Sequence, residues 1–393
     1  MSSEVERGSV ADGPHGGVNE VLARASLVDH HTHSIVRGTV DRETFTLMLT
    51  ESDRRSAADA AGMDSQVAFA LRRWCAPLLG LPEHASVADY LEQRLAMSNE
   101  TAAGRLLPHA GVGRMLVDTG FRPDDLLPVG ELGRLAEARA ETIVRLEGVA
   151  ERVAGDGVSA ARFADAFRSA LRADARGAAG LKSIIAYRCG LDFEPSRPSD
   201  RDVAERAGAW FREIGKTGCS RLTDPVLLRF GLWEGIATGL PLQIHTGYGD
   251  PDLDLHRCDP LLLTDFIRAT EGTCPILLLH TYPFQRHAGY LAQMFPHVYA
   301  DVGLAVTFTG AASTQVVRES LELAPFTKIL FSSDAWGLPE LHVLGSWLFR
   351  RAMSRVLGGW VAAGDWSLGD AERVVDLVGS GNARRVYGLT EAS

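Results

Sequence analysis

Leu27 and Val28 run into Asp29-His30-His31-Thr32-His33, a short apolar stretch that reads as a buried strand delivering polar side chains at its carboxyl end. Residues i and i+2 of an extended chain share a face, so His31 and His33 can reach one cation together. Neutral imidazole is the commonest ligand of zinc and also suits iron, nickel and cobalt, which makes the pair half of a metal site. Isolated His-x-His pairs also occur by chance on surfaces, so the weight rests on what the rest of the chain supplies.

Seven later apolar runs each lead into a polar residue. Met115 to Val117 closes on Asp118, Thr142 to Leu146 on Glu147, and Gly180-Leu181 enters Lys182. Leu240 to Ile244 ends at His245, Pro275 to Leu279 at His280, Val298 to Ala300 at Asp301, and Lys328 to Ser333 at Asp334. Between them lie stretches long enough for crossover helices, among them Gly130 to Ala140, Ser159 to Arg176, Asp202 to Ile214, Pro260 to Thr270 and Thr314 to Leu323. Eight strand–helix units with nearly continuous apolar strands predict an α/β fold, a (β/α)8 TIM barrel. The alternative is an open doubly wound sheet, but the first loop lacks the Gly-x-Gly-x-x-Gly turn that would support one.

Parallel barrel strands point one way, so the residues closing them gather on one face. His31, His33, Lys182, His245, His280 and Asp334 therefore converge on one pocket. Singly, His245 and His280 each read as core histidines satisfied by a carbonyl. Together at strand ends they form a nitrogen-rich set with one carboxylate, which suits a divalent transition metal and not the oxygen cages of calcium or magnesium.

Outside the barrel units, Asp41 to Arg105 is helical in pattern, with Pro77, Pro82 and Pro108 as punctuation, and predicts a helical insertion over about residues 41–107, placed to roof the site. Residues 1–19 read as a disordered leader and 20–393 as one barrel domain. Leu338 to Leu357 completes the barrel and Leu368 to Leu389 reads as a terminal helix. At 393 residues, 46% hydrophobic and 23% charged, the composition is that of a globular protein with ample core. A formal net charge of −10 without a dense basic cluster argues against nucleic acid or an anionic membrane as partner. Nothing approaches the apolar length of a membrane span. The five scattered cysteines suggest free thiols in a cytoplasmic setting.

The set Asp29-x-His31-x-His33, Lys182, His245, His280 and Asp334 resembles the amidohydrolase superfamily. Leu181-Lys182-Ser183-Ile184-Ile185-Ala186-Tyr187-Arg188, His245-Thr246-Gly247-Tyr248-Gly249-Asp250, Ser333-Asp334-Ala335 and Asn382-Ala383-Arg384-Arg385-Val386-Tyr387-Gly388-Leu389 make it similar to the amidohydrolase-2 group. Within that group it resembles the hydrolase-like domain that some plant and fungal proteins carry ahead of a glutamine-synthetase domain. Residues up to Ser393 contain no glutamine-synthetase part, so no ligase activity is expected of them. The resemblance implies that His31 and His33 hold one metal, that His245 and His280 hold a second, and that a carboxylated Lys182 bridges them. It implies that Asp334 ligates the first metal and takes the proton from the attacking water, so that Asp334 and His280 belong to the catalytic set. The expected cofactor is zinc, with iron or manganese as alternatives, as one ion or two.

The expected reaction is metal-dependent hydrolysis of a C–N bond, an amide or γ-glutamyl amide of a small polar molecule. Two rivals stand beside it: a decarboxylase of the same superfamily, and a silent barrel serving as a binding or regulatory module. A strand-four lysine speaks against the first and a full set of ligands against the second. Arg188 is a candidate clamp for a substrate carboxylate or else a rim ion pair. Tyr248, Asp250 and His256, then Tyr282 and Arg286, are substrate-loop candidates after strands five and six, and Trp336 a candidate pocket wall. Asp118, Glu147 and Asp301 read as rim groups or supports for the histidines. The expected partner is a small-molecule substrate, with a homo-oligomer left open.

Overall fold

The computed structural model describes residues 16–54 and 61–390. Its centre is one sheet of eight parallel strands in sequential order: β1 (Leu27–Thr32), β2 (Val112–Asp118), β3 (Arg139–Arg145), β4 (Gly180–Ser183), β5 (Leu242–His245), β6 (Ile276–Leu279), β7 (Val298–Val302) and β8 (Ile329–Phe331). Strands β4, β5, β6 and β8 are buried at every position, as expected where helices cover one face and a barrel interior the other. The fold is a (β/α)8 TIM barrel.

Between the outer strands, closure is made by the chain leaving β8. Asp334 N donates to His31 O at 3.1 Å, His33 N to Ala335 O at 2.9 Å, and Gly337 N to Ser34 O at 3.0 Å. The buried carboxylate of Asp29 locks this seam by accepting Ser333 N at 2.9 Å and Ser333 Oγ at 2.5 Å.

Some boundaries differ from the sequence reading. β3 closes on Arg145, and Glu147 lies in the first turn of the helix Leu146–Gly155. The apolar run continued past the strand because Leu146 is also buried, in a helix. After β4 the chain turns into the short helix Ile185–Cys189, so Arg188 is not on an extended strand exit. The terminal helix is broken into Leu368–Asp376, a wide turn Leu377–Gly381 and Asn382–Val386. Gly16–Arg24 is helical, so the stretch read as leader overlaps a helix at residues 16–19; residues 1–15 lie outside the described residues.

After β1 comes a group of short helices, including Arg42–Leu47, Gln66–Trp74, Val87–Leu95 and Asn99–Leu106. Asp41, Ser65, Ser86 and Ser98 cap them, each side chain accepting a backbone N–H of the first turn. This group is pinned to the barrel by a wholly buried ion pair, Arg94 with Glu340 of the helix Pro339–Ala363. Tyr90 adds a hydrogen bond to the same carboxylate at 3.3 Å. Arg94 also bonds Asn99, whose amide donates to Val36 O at 3.0 Å.

Removing one partner of such a pair strands a charge in the core. Glu340→Leu is expected to cost about 3–5 kcal/mol in urea denaturation, and Arg94→Leu added to it to recover part of the loss. A single-variant cost below about 1 kcal/mol would show that the pair does not anchor the insertion.

Candidate metal centre and active site

At the carboxyl ends of the strands, four side chains meet. His31 Nε2 is 3.1 Å and His33 Nε2 3.6 Å from Asp334 Oδ1, while His280 Nε2 is 3.3 Å from Asp334 Oδ2. His31 Nδ1 faces Gln243 Oε1 at 2.8 Å, and His33 Nδ1 faces the carbonyl of Asp118 at 3.1 Å. Both Nδ1 atoms must donate, because their partners only accept, so both Nε2 atoms present lone pairs. Two imidazole lone pairs thus converge on one carboxyl group. That is the chemistry of a cation cage, and the donor set fits a divalent transition metal. His31, His280 and Asp334 each place a ligand atom within 4.8 Å of the others. A second set, His31, His33 and Asp118, lies equally close. There, however, Asp118 Oδ2 is held by Arg145 Nη2 at 2.6 Å and Oδ1 accepts Gly120 N at 2.8 Å, so the first set is the better cage.

Lys182 and His245 adjoin it. Lys182 Nζ is 3.5 Å from His280 Nε2, and the His245 and His280 rings are 4.7 Å apart. His245 Nε2 is buried without a hydrogen-bond partner, as is Asp334 Oδ1. Burial sets the protonation states. It holds His31, His245 and His280 well below the usual imidazole range and His33 at about 4, and it raises Asp334 well above the carboxylate range. Lys182 is pushed down to about 8 by burial, against the pull of Asp334. Asp334 and His280 both adopt positive φ, +47° and +64°. For residues with a Cβ this costs about 1–3 kcal/mol each and persists only where the surroundings impose it.

The other strand-closing carboxylates are fixed by neutral or cationic partners. Asp301 Oδ1 faces His30 Nε2 at 3.2 Å, and its Oδ2 accepts Ser332 Oγ at 2.9 Å and His280 N at 3.3 Å. Glu147 Oε1 accepts Ser183 Oγ at 2.6 Å and Ile184 N at 3.0 Å, shaping the exit of β4.

Around the cage, Tyr187 and not Arg188 covers the histidines: its ring is 4.4 Å from that of His245. Arg188 Nη2 is 3.3 Å from Glu151, and its Nε and Nη1 are buried without partners. Trp336 packs edge-on against Phe121, which in turn contacts His33, with ring separations of 5.3 and 5.2 Å. Tyr248 packs edge-on against Tyr282 and Phe308. Asp250 lies on the same loop, its pKa raised chiefly by burial. His256 is in an exposed turn, and Arg286 is paired on the surface with Glu319 and Glu322.

Four residues near the cage escaped the sequence reading. Gln243 stands two residues before His245 in an otherwise apolar strand, a signal that was there to read. His30 lies inside the motif itself. Arg145 was missed with the end of β3. Glu51, from the insertion, carried no signal at all: it is partly buried, its Oε1 is enclosed without a partner, and burial followed by Asp250 lifts its pKa to about 7.

The amidohydrolase family model matches residues 28–389, and the chain belongs to this family. It is thus a metal-dependent enzyme of amidohydrolase type acting on a small molecule. Protein fluG of Emericella nidulans is 33% identical over 224 residues, which are 54% of this chain and 26% of that protein, so the match spans about a quarter of the relative. A Lactobacillus casei ATCC 334 protein designated a candidate metal-dependent hydrolase superposes with a TM-score of 0.83 at 29% identity, covering 94% of this chain and 97% of that one. A uronate isomerase of Bacillus halodurans C-125 shares the fold with a TM-score of 0.64 at 14% identity, covering 97% and 98%. Among the described residues no helix is long and apolar enough to cross a membrane.

Glu51 gives a test with a definite sign. Its folded pKa of about 7 lies above the ordinary 4.5, so the folded state holds the extra proton between these values. Native stability then falls as pH rises through that window and stays lowered above it. In metal-stripped protein, Glu51→Gln is expected to match the wild type in Tm near pH 4 and exceed it at pH 8. Equal Tm values at both pH values would place Glu51 in solvent.

Proposed function

We propose that this enzyme hydrolyses a C–N bond, an amide or γ-glutamyl amide of a small polar substrate, with Asp334 as general base. The carrying observation is the Asp334 carboxylate, held against His31, His33 and His280 with Oδ1 free of hydrogen bonds. His31, His33 and Asp334 would hold a first divalent ion and His245 and His280 a second, with a carboxylated Lys182 as a further ligand, and the imidazole-rich donors suit zinc. A bound ion supplies Lewis acidity, polarising the scissile carbonyl and acidifying a water. Asp334 takes the proton from that water as its oxygen attacks the carbonyl carbon. Burial makes this carboxylate more basic than an exposed one. As the C–N bond breaks, Asp334 returns the proton to the leaving nitrogen, giving a carboxylate and an amine.

Lys182 at a pKa of about 8 has a fraction of neutral amine at neutral pH. That amine can add carbon dioxide and release a proton, and the resulting carbamate would be an anionic oxygen ligand for a bound ion. Native mass spectrometry checks this: two ions and an added mass of about 44 Da, lost on Lys182→Ala, is the expected outcome. Two desolvated carboxylates, Glu51 and Asp250, suit the ammonium end of an amino-acid substrate. Trp336, Tyr248, Tyr282 and Arg188 supply the rest of the proposed lining. The uronate isomerase likeness, at 14% identity, speaks for the fold alone.

Metal analysis with a panel of amides, γ-glutamyl amides, esters and aryl carboxylates tests the reading. Turnover of an amide is expected, and carbon dioxide release from aryl carboxylates alone would overturn it in favour of a decarboxylase. On the active substrate, Asp334→Asn should lower kcat by about 10²–10⁴ with unchanged circular dichroism. A near-normal kcat would assign the base elsewhere. Glu51→Gln should raise KM about tenfold or more for substrates bearing an ammonium group and leave KM for uncharged amides unchanged.

A further inference from the structure

The hydroxyl of Tyr387, near the carboxyl end of the described chain, reaches the interior of the barrel from the end opposite the active site. Its ring packs among Val28, Leu116, Ile143, Leu277 and Leu330, inward residues of five different strands. Gly180, at the start of β4, leaves room for it: a Cβ there would stand 3.0 Å from Tyr387 Cε1. Asn382 fixes the segment by donating to the carbonyls of Phe326 and Ile329, both at 2.7 Å, ahead of and within β8. The plug is therefore built into the barrel floor.

From this hydroxyl two chains of hydrogen bonds lead to the cage. Gln243 Nε2 lies 2.7 Å from Tyr387 Oη and 2.7 Å from His30 O, and Gln243 Oε1 faces His31 Nδ1 at 2.8 Å. His30 Nδ1 lies 3.0 Å from Tyr387 Oη, His30 Nε2 3.2 Å from Asp301 Oδ1, and Asp301 Oδ2 accepts the backbone N–H of His280. The proton directions are determined. The Gln243 amide nitrogen donates to Tyr387 Oη, so the phenol donates to His30 Nδ1, and His30 Nε2–H donates to Asp301. With its nitrogen so committed, Gln243 turns its oxygen to His31 and keeps the His31 proton on Nδ1. A flipped amide would put that proton on Nε2, the atom that must bind the ion.

We propose that Tyr387 is a positioning residue for the metal centre, setting the His31 tautomer through Gln243 and the His280 backbone through His30 and Asp301. The proposal rests on reading His31 and His280 as ligands. Partners one step behind the ligands of a metal site commonly change affinity by about 10–100-fold when removed.

The test uses the full chain and zinc alone as probe, by competition with a chromogenic chelator. Tyr387→Phe is expected to weaken zinc binding about tenfold or more. Leu116→Ala, which loosens the same apolar cluster and keeps the hydroxyl, is expected to bind zinc like the wild type. An unchanged affinity in Tyr387→Phe, or an equal loss in both variants, would overturn the proposal. Absence of zinc binding by the wild type would instead overturn the ligand assignment. A second readout needs no variant: long-range proton–nitrogen spectra of the metal-free protein should show His31 protonated on Nδ1 and His30 on Nε2. The opposite tautomer at either ring would overturn the relay.

Discussion

The seam between β1 and the chain leaving β8 is the constraint on which the site depends. Three backbone bonds and the Asp29–Ser333 clamp fasten residues 333–337 along the end of β1. Because Asp334 N is tied to His31 O, the Asp334 side chain has little choice but to face the histidines. Its positive φ, at about 1–3 kcal/mol, is tolerable because each neighbouring bond returns about 1 kcal/mol and those to the Asp29 carboxylate more. A barrel closed by sheet pairing alone would place an extended residue there, with its side chain alternating out of reach.

The same seam couples the insertion to the cage. The helix Pro339–Ala363 starts just past residue 338, and Glu340 in its first turn holds Arg94 of the insertion. Met48, also of the insertion, lies over Gly337, where a Cβ would come within 3.1 Å of its sulfur. The roof and the Asp334 loop thus share anchors, and Glu51, three residues after Met48, is carried to the edge of the pocket. An acidic residue enclosed there without a partner has no structural use, since its burial only costs stability.

What was legible in the sequence follows from range and period. Apolar runs closing on His245, His280, Asp301 and Asp334 are local signals, and a parallel barrel converts them directly into a shared face, so the fold and the cage could be read together. Arg188 carries a charge and with it a local signal, whereas nothing in the sequence sets Tyr187 apart from a packing aromatic. Beyond Ser183 the chain is helical and each residue turns by about 100°, so the side chain facing His245 is that of Tyr187. Glu147 was given the place of Arg145 because a buried helix residue, Leu146, prolongs the apolar run without a break. Gln243 and Tyr387 are a different case. Both are neutral, 144 residues apart, and nothing in composition or spacing says that an amide and a phenol will meet inside a barrel.

Their neutrality has a physical reason. The cage contains imidazoles kept uncharged by burial, and any nearby ion that changed its protonation would shift them. A support built from carboxylates alone would make the ligand nitrogens more basic and pull protons onto them. One built from cations would repel the metal. An amide and a phenol orient the donor histidines through dipoles, which fix tautomers without adding net charge. Of the charged supports, Asp118 is matched by Arg145, and Asp301 accepts hydrogen bonds from His30 and Ser332. The result is a set of histidines kept neutral beside a pocket rim that carries Glu51 and Asp250. On the proposed reading, the barrel floor supports the cation ligands, while the insertion and the loops after β5 and β6 line the substrate side. That division is consistent with one barrel architecture serving both this chain and isomerases with little sequence in common.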